Sequence, residues 1–285
     1  MTDIDLPRIM GVVNVTPDSL SDGGRYHDVA AAAAHARALH AAGADIIDVG
    51  GESTRPGAAR VDADIEQSRV VPVVAALAAE GITVSVDTTR AAVAEAACDN
   101  GATIVNDVSA GQADPQMPRL LARNGCRIVL MHRRGESSDM YRHAHYEDVV
   151  AEVGAELSAQ VTYMREAGVT NEQIIVDPGL GFAKHAEHNW ELIARLHELT
   201  ELRYPLLFGA SRKGFLGKAL ADADGEPRPA TERDIATAAT SMLAFDAGAW
   251  GVRVHDVAAT ADMRAVWAAT RHARRAYEAR GAAVL

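Results

Sequence analysis

Short apolar runs alternate with longer, helix-patterned stretches along the whole chain. The runs fall at residues 8–15, 44–50, 82–87, 102–107, 126–132, 173–177, 205–209 and 250–255. Each is nearly continuous rather than alternating, the pattern of a strand covered on both faces in a parallel sheet. Between them, residues such as Val149, Val153, Leu157, Val161 and Met164 return at helical spacing and predict a helix with one buried face. Gly43, Gly81, Gly101, Gly125, Gly168 and Gly248 stand where a helix gives way to the next strand, the usual place of a left-handed stop.

Eight strand–helix units in a chain of 285 residues predict a single α/β domain over 1–285, a (β/α)8 TIM barrel with its core at about 8–275. An open doubly wound sheet would carry a Gly-rich dinucleotide turn after its first strand. Here that strand runs into NVTPDS instead. No shift in composition marks a domain boundary. The Pro-, Gly- and acid-rich stretch 217–234 reads as a long loop inside the seventh unit, and the tail beyond Arg274 as a frayed end.

Composition narrows the class without naming a function. Hydrophobic residues make up 48% and charged residues 24%, as in ordinary globular proteins, and the formal net charge is −11. That charge argues against nucleic acid as a partner, although it leaves room for a local cationic pocket. Two cysteines, Cys98 and Cys126, make no disulfide framework and point to a reducing, cytoplasmic setting. The first ten residues lack the blocks of a signal peptide, and no window is apolar enough to cross a membrane.

A barrel collects chemistry at the C-terminal ends of its strands. Those ends supply Asn14, Gly50-Gly51-Glu52, Asp87, Asn106-Asp107, His132, Asp177, Ser211-Arg212-Lys213 and Arg253-Val254-His255-Asp256. Buried polar groups need partners, so a ring of them at one mouth predicts a polar ligand. Helix capping is the competing explanation for any one Asp or Asn. Thr88-Thr89 offer an alternative cap beside Asp87. Asn106 and Asp107 are placed to divide the work, one capping and one facing the pocket. Arg212, Lys213, Arg253 and His255 lie after strands seven and eight, the recurrent phosphate site of this fold. Ion pairing with Asp234 or Asp256 is the alternative. The histidines show neither HxH nor HExxH spacing on a strand or helix, which disfavours a zinc hydrolase. A Schiff-base role for Lys213 competes with charge stabilisation, and the adjacent Arg212 favours the latter.

The segments NVTPDSLSDGG, DVGGESTRPGA, SVDTTR, IVNDVSAG, VDPGLGFAK, GASRKGFLG and GVRVHDV, in this order, closely resemble the signatures of bacterial dihydropteroate synthases, of the pterin-binding enzyme family. The match spans Met10 to about Arg264. It implies a transferase of folate biosynthesis that joins 6-hydroxymethyl-7,8-dihydropterin diphosphate to 4-aminobenzoate and releases pyrophosphate. By matching motif, Asp87, Asn106, Met131, Asp177, Phe182, Gly209, Lys213 and Arg253 would hold the pterin. Asn14, Arg253 and His255 would bind the diphosphate, with Asn14 also a ligand of Mg²⁺. Thr54, Arg55, Pro56 and Gly214 would meet the 4-aminobenzoate. Asp22 would face the developing positive charge, with Asn14 and Lys213 also serving catalysis. The polar stretch SLSDGG after the first strand is then a loop that closes over the reacting groups.

Two positions depart from the family pattern. Leu20 stands where phenylalanine is usual, and Gly214 where serine often follows SRK. Both concern 4-aminobenzoate, and sulfonamides that imitate it, rather than the pterin. A catalytically silent pterin-binding paralogue and a pterin-dependent methyltransferase module are the competing readings. The latter has no use for SDGG or for the SRK and RVH cations. The family also implies a homodimer through its later helices, where Trp267 fits either such a face or the core.

Overall fold

The computed structural model describes residues 6–15, 24–52, 61–135 and 140–282. Arg8–Asn14 (β1) lies buried along its five central residues, as its apolar run requires. It is flanked by Ile46–Gly50 (β2) and Gly251–Val254 (β8), both parallel to it. Val84–Asp87 (β3), Ile104–Asp107 (β4), Arg127–Met131 (β5) and Ile174–Asp177 (β6) extend the sheet on one side, and Leu207–Phe208 (β7) on the other. The order is β6-β5-β4-β3-β2-β1-β8-β7. A parallel bridge between Val176 and Leu206 joins the two ends and completes the (β/α)8 barrel.

Helices cover the outside: Gly24–Ala41 (α1), Ala63–Ala79 (α2), Ala91–Asp99 (α3), Met117–Asn124 (α4) and Val149–Glu166 (α5). Ala186–Ala194 (α6), Leu196–Thr200 (α7), Gly214–Ala219 (α8), Asp234–Asp246 (α9) and Val257–Ala282 (α10) follow. In α5 the predicted face of Val149, Val153, Leu157, Val161 and Met164 is buried, and Asp148 caps its first turn through Val150 N and Ala151 N. All six glycines named as helix stops have positive φ, from 74° to 110°.

Three expectations shift. The strands are shorter than the apolar runs, most of all β7, whose neighbour on one side is reached only through the single bridge at Leu206. The stretch 217–234 is not all loop: α8 occupies its start and a 3₁₀ turn spans Ala230–Glu232. The C-terminal tail stays helical to Ala282, in keeping with the helix propensity of its Ala, Arg and Glu residues. Trp267 belongs to the core, edge-on to Phe245 and donating to Asp246 at 2.9 Å.

Inside the barrel, Met10, Ile46, Ile104, Val129, Ile175 and Leu207 form an apolar plug, with Trp250 packed against it. Strand side chains alternate, so the inward residue one step toward the C-terminal mouth lies two positions on. From β2, β4, β5, β6 and β7 that step yields Asp48, Asn106, Met131, Asp177 and Gly209. Register then aligns the mouth: Asn14 pairs with Gly50, Gly50 with Asp87, Asp87 with Asn106, and Met131 with Asp177. The polar layer rests on the apolar one.

Candidate active site

Arg253 organises one half of the mouth. Its Nε donates to Asp48 Oδ2 at 2.7 Å and its Nη2 to Asp87 Oδ2 at 2.9 Å. Asn106 Nδ2 donates to the same Asp48 oxygen at 3.0 Å. Asp48 is wholly buried and was absent from the sequence-based set. Its signal was there: a carboxylate at an inward position of the apolar run IIDVG. Burial pushes the Asp87 carboxyl up to about 7, against the pull of Arg253. Asn14 is exposed at the end of β1. A Cβ on Gly50 would lie 3.6 Å from Asn14 Oδ1 and 3.8 Å from Asp87 Oδ2, so the glycine keeps the space between them open.

The opposite wall comes from β5, β6 and the loops after β6 and β7. Asp177 Oδ1 accepts from Gly179 N at 2.7 Å. Its Oδ2 lies 3.6 Å from where a Cβ would stand on Gly209. Burial raises its pKa, while Gly179 N, Lys213 and Arg253 pull it down. Lys213 Nζ sits 4.1 Å above the centre of the Phe182 ring, a cation–π contact. Burial lowers its pKa to about 8, opposed by Asp177. Met131 is buried at the end of β5. Two carboxyls, an amide, an ammonium, a guanidinium and apolar walls therefore share one opening.

Not every polar rim residue faces that opening. His132 turns away to Glu156 and Lys184. Asp107 accepts from Ser109 N, Ser109 Oγ and Gly111 N, so it braces a turn rather than capping a helix, while Asn106 faces inward. Glu52 accepts from Val61 N and Arg90. Thr88 Oγ1 accepts from Arg90 N, but the first amide of α3, Ala91 N, is held by Asp114.

Arg212 is a correction to the expected cation cluster. Its Nε and Nη2 donate to Asp234 at 2.8 and 2.7 Å, in a left-handed backbone with φ 59°. A bidentate carboxylate neutralises it. Lys213, Arg253 and His255 remain. His255 N donates to Ser211 Oγ at 3.1 Å, and that hydroxyl lies 2.9 Å from His255 Nδ1. That hydroxyl holds the ring in place through Nδ1, with Nε2 left on the other side of the ring. Burial, with Arg253 and Arg212 nearby, lowers the His255 pKa to about 4, so the ring is neutral. Gly214 is exposed at the start of α8, and apart from its chain neighbours and its own helix nothing would touch a side chain's Cβ there. Asp22, Thr54, Arg55 and Pro56, with Leu20, lie outside the described residues. Among the described residues no group of three or more His, Cys, Asp or Glu could hold a metal ion.

Residues 10–255 match the profile of a family described as "Pterin binding enzyme". The chain is 56% identical to the dihydropteroate synthase of Mycobacterium leprae over 267 residues, covering 93% of this chain and 94% of the relative. It is also similar to a solved Xanthomonas albilineans dihydropteroate synthase with 4-aminobenzoic acid: TM-score 0.86, 42% identity, 94% of each chain covered. The same enzyme solved with 7,8-dihydropteroate aligns at TM-score 0.83 and 39% identity, again over 94% of each chain.

Proposed function

The chain belongs to the pterin-binding enzyme family, and from this premise we infer that it is a transferase that carries out dihydropteroate synthesis. It joins 6-hydroxymethyl-7,8-dihydropterin diphosphate to 4-aminobenzoate, giving 7,8-dihydropteroate and pyrophosphate. One observation carries the residue assignment: Asp87, Asn106, Asp177, Lys213 and Arg253 converge on a single mouth although five strands deliver them.

The pterin edge is an aminopyrimidine fused to an amide. Asp177 accepts from its exocyclic amine and a ring N–H, Asn106 both donates and accepts, and Lys213 donates to the carbonyl or a ring nitrogen. Asp87, Gly209, Met131 and Phe182 complete the pocket, and the Arg253 guanidinium covers the ring. Arg253 Nη1, free of a protein partner among the described residues, together with the His255 ring and the Asn14 amide, serves the diphosphate.

Catalysis is electrostatic. The bond from the pterin methylene to the bridging oxygen breaks, its electron pair leaves with pyrophosphate, and positive charge spreads into the pterin. The 4-aminobenzoate nitrogen then bonds to the methylene carbon and gives up a proton. Asp177 and Asp22 oppose the transient cation, while Arg253 and His255 hold the departing anion. Lys213 donates to the pterin throughout. Thr54, Arg55, Pro56 and Gly214 receive 4-aminobenzoate. Asn14 would offer one neutral oxygen to a metal ion, a weak single protein ligand of the kind Mg²⁺ accepts. When bound, Mg²⁺ neutralises the leaving group.

The proposal extends to a cytoplasmic homodimer. Neither cysteine is in a disulfide. Exposed Ile235 and Leu243 on α9 and Val266 on α10 support a face among the later helices. Among the described residues no helix is long and apolar enough to cross a membrane. The deciding assay is pyrophosphate release from the pterin diphosphate, with 4-aminobenzoate and Mg²⁺ each supplied or withheld. Release dependent on both is expected; tight pterin binding with no turnover would favour the silent paralogue.

A further inference from the structure

Behind the Asp177 wall lies a lysine that the reaction scheme does not use. Lys184 is 2% exposed, among the most deeply buried large side chains. Its Nζ lies 2.8 Å from His132 Nδ1, 3.1 Å from Gly179 O and 3.0 Å from Phe182 O. An ammonium has three N–H groups, and each has an acceptor here. Nδ1 as acceptor leaves the His132 hydrogen on Nε2, which donates to Glu156 Oε2 at 2.9 Å. Arg134 in turn grips Glu156 through Nε and Nη2 and reaches Glu152 at 2.7 Å. A continuous chain of polar contacts thus runs from α5 to the loop after β6.

The backbone of that loop is shaped for this contact. Gly179 has φ 65°, and a Cβ there would stand 1.9 Å from His132 O, so only glycine fits. Ala183 has φ 48°, a left-handed turn that brings Lys184 back beneath its own loop. Residues 178–184 are therefore seated on His132 at both ends. Between those ends the loop presents Gly179 N to Asp177 and carries Phe182 under Lys213.

We propose that Lys184 is a positioning residue for the pterin: by holding the carbonyls of Gly179 and Phe182 it fixes Asp177 and the Phe182 ring, and His132 with Glu156 holds Lys184. This rests on the pterin reading of the mouth. The charges facing Lys184 are Asp177 and Glu156, which favour its ammonium, and Arg134 and Lys213, which oppose it. Burial dominates and lowers its pKa to about 7. A neutral amine has two N–H groups for three acceptors, so one tie is lost as pH rises through that value. Pterin affinity falls with it, beside the contributions of Asp87 and Lys213, which also titrate near neutrality.

The test measures binding of 6-hydroxymethyl-7,8-dihydropterin diphosphate by calorimetry, and KM for both substrates, in wild type, Lys184→Met, Glu156→Gln and the double variant. Lys184→Met should raise the pterin Kd roughly tenfold or more, as loss of charge-assisted hydrogen bonds does. KM for 4-aminobenzoate should stay within about threefold, Glu156→Gln should have a smaller effect of the same kind, and the double variant should match Lys184→Met, as coupled sites do. Lys184→Met should also flatten the loss of pterin affinity between pH 6.5 and 8. A Lys184→Met protein that binds pterin diphosphate as wild type does overturns the proposal, as does equal damage to both substrates. Should Lys184→Met not fold, an unchanged pterin Kd in Glu156→Gln overturns it. A wild type that binds no pterin diphosphate sinks the reading of the mouth instead.

Discussion

Arg253 on β8 donates to Asp48 on β2 over the inner face of β1, at 2.7 Å. The pair lies just above the apolar plug, and Asn106 shares the same Asp48 oxygen. One carboxylate thus sets the position of two residues assigned to the pterin. Asp48→Ala would leave a guanidinium and an amide without that anchor. It should destabilise the fold by about 3–5 kcal/mol, read from urea unfolding. The pterin Kd should rise as well. Unchanged stability would show that Asp87 alone holds Arg253.

Gly179 carries a geometric prediction. Its positive φ and its contact with the His132 carbonyl leave no room for a side chain. Gly179→Ala should therefore cost at least about 1–3 kcal/mol and displace the Asp177–Gly179 N hydrogen bond. Turnover should fall through the KM for pterin diphosphate. A variant with wild-type KM and melting temperature would refute the tight fit.

Two histidines make the fold sensitive to acid. Burial lowers His132 and His255 to about 4 from their ordinary value near 6.5. The unfolded chain then binds protons that the folded chain refuses, so stability is present above 6.5 and lost as pH falls toward 4. Each histidine contributes up to about 3 kcal/mol. Glu156, held near 2 by His132 and Arg134, adds a loss of the same sign below about 4.5. The urea midpoint should drop between pH 7 and pH 5, and less steeply in His255→Asn. Because Asp87, raised to about 7, works in the opposite sense over this range, the comparison decides: an equal pH dependence in wild type and His255→Asn would mean that the His255 ring is not held neutral.

Asp22 separates binding from chemistry. Asp22→Ala should bind pterin diphosphate within about threefold of wild type, while kcat falls by about tenfold or more, the scale of one electrostatic catalytic contact. Single-turnover pyrophosphate release measures this directly. A variant with full turnover would remove Asp22 from the mechanism.

Much of this protein was legible in the order of its residues. Continuous apolar runs, helical periodicity and glycine stops are local signals, and they located eight strands and the buried face of α5 because backbone geometry repeats over a few residues. The rim motifs likewise marked Asp87, Asn106, Asp177, Lys213, Arg253 and His255. What the order alone left open was partnership. Arg212 and Arg253 are both arginines near a strand end, yet Arg212 closes on Asp234 while Arg253 reaches past β1 to Asp48 and Asp87. Lys184 looks like a surface residue until His132 is brought beside it from β5. Charges find their partners through space, and only the pairing of β8 with β1 brings Arg253 to Asp48, 205 positions away in the chain.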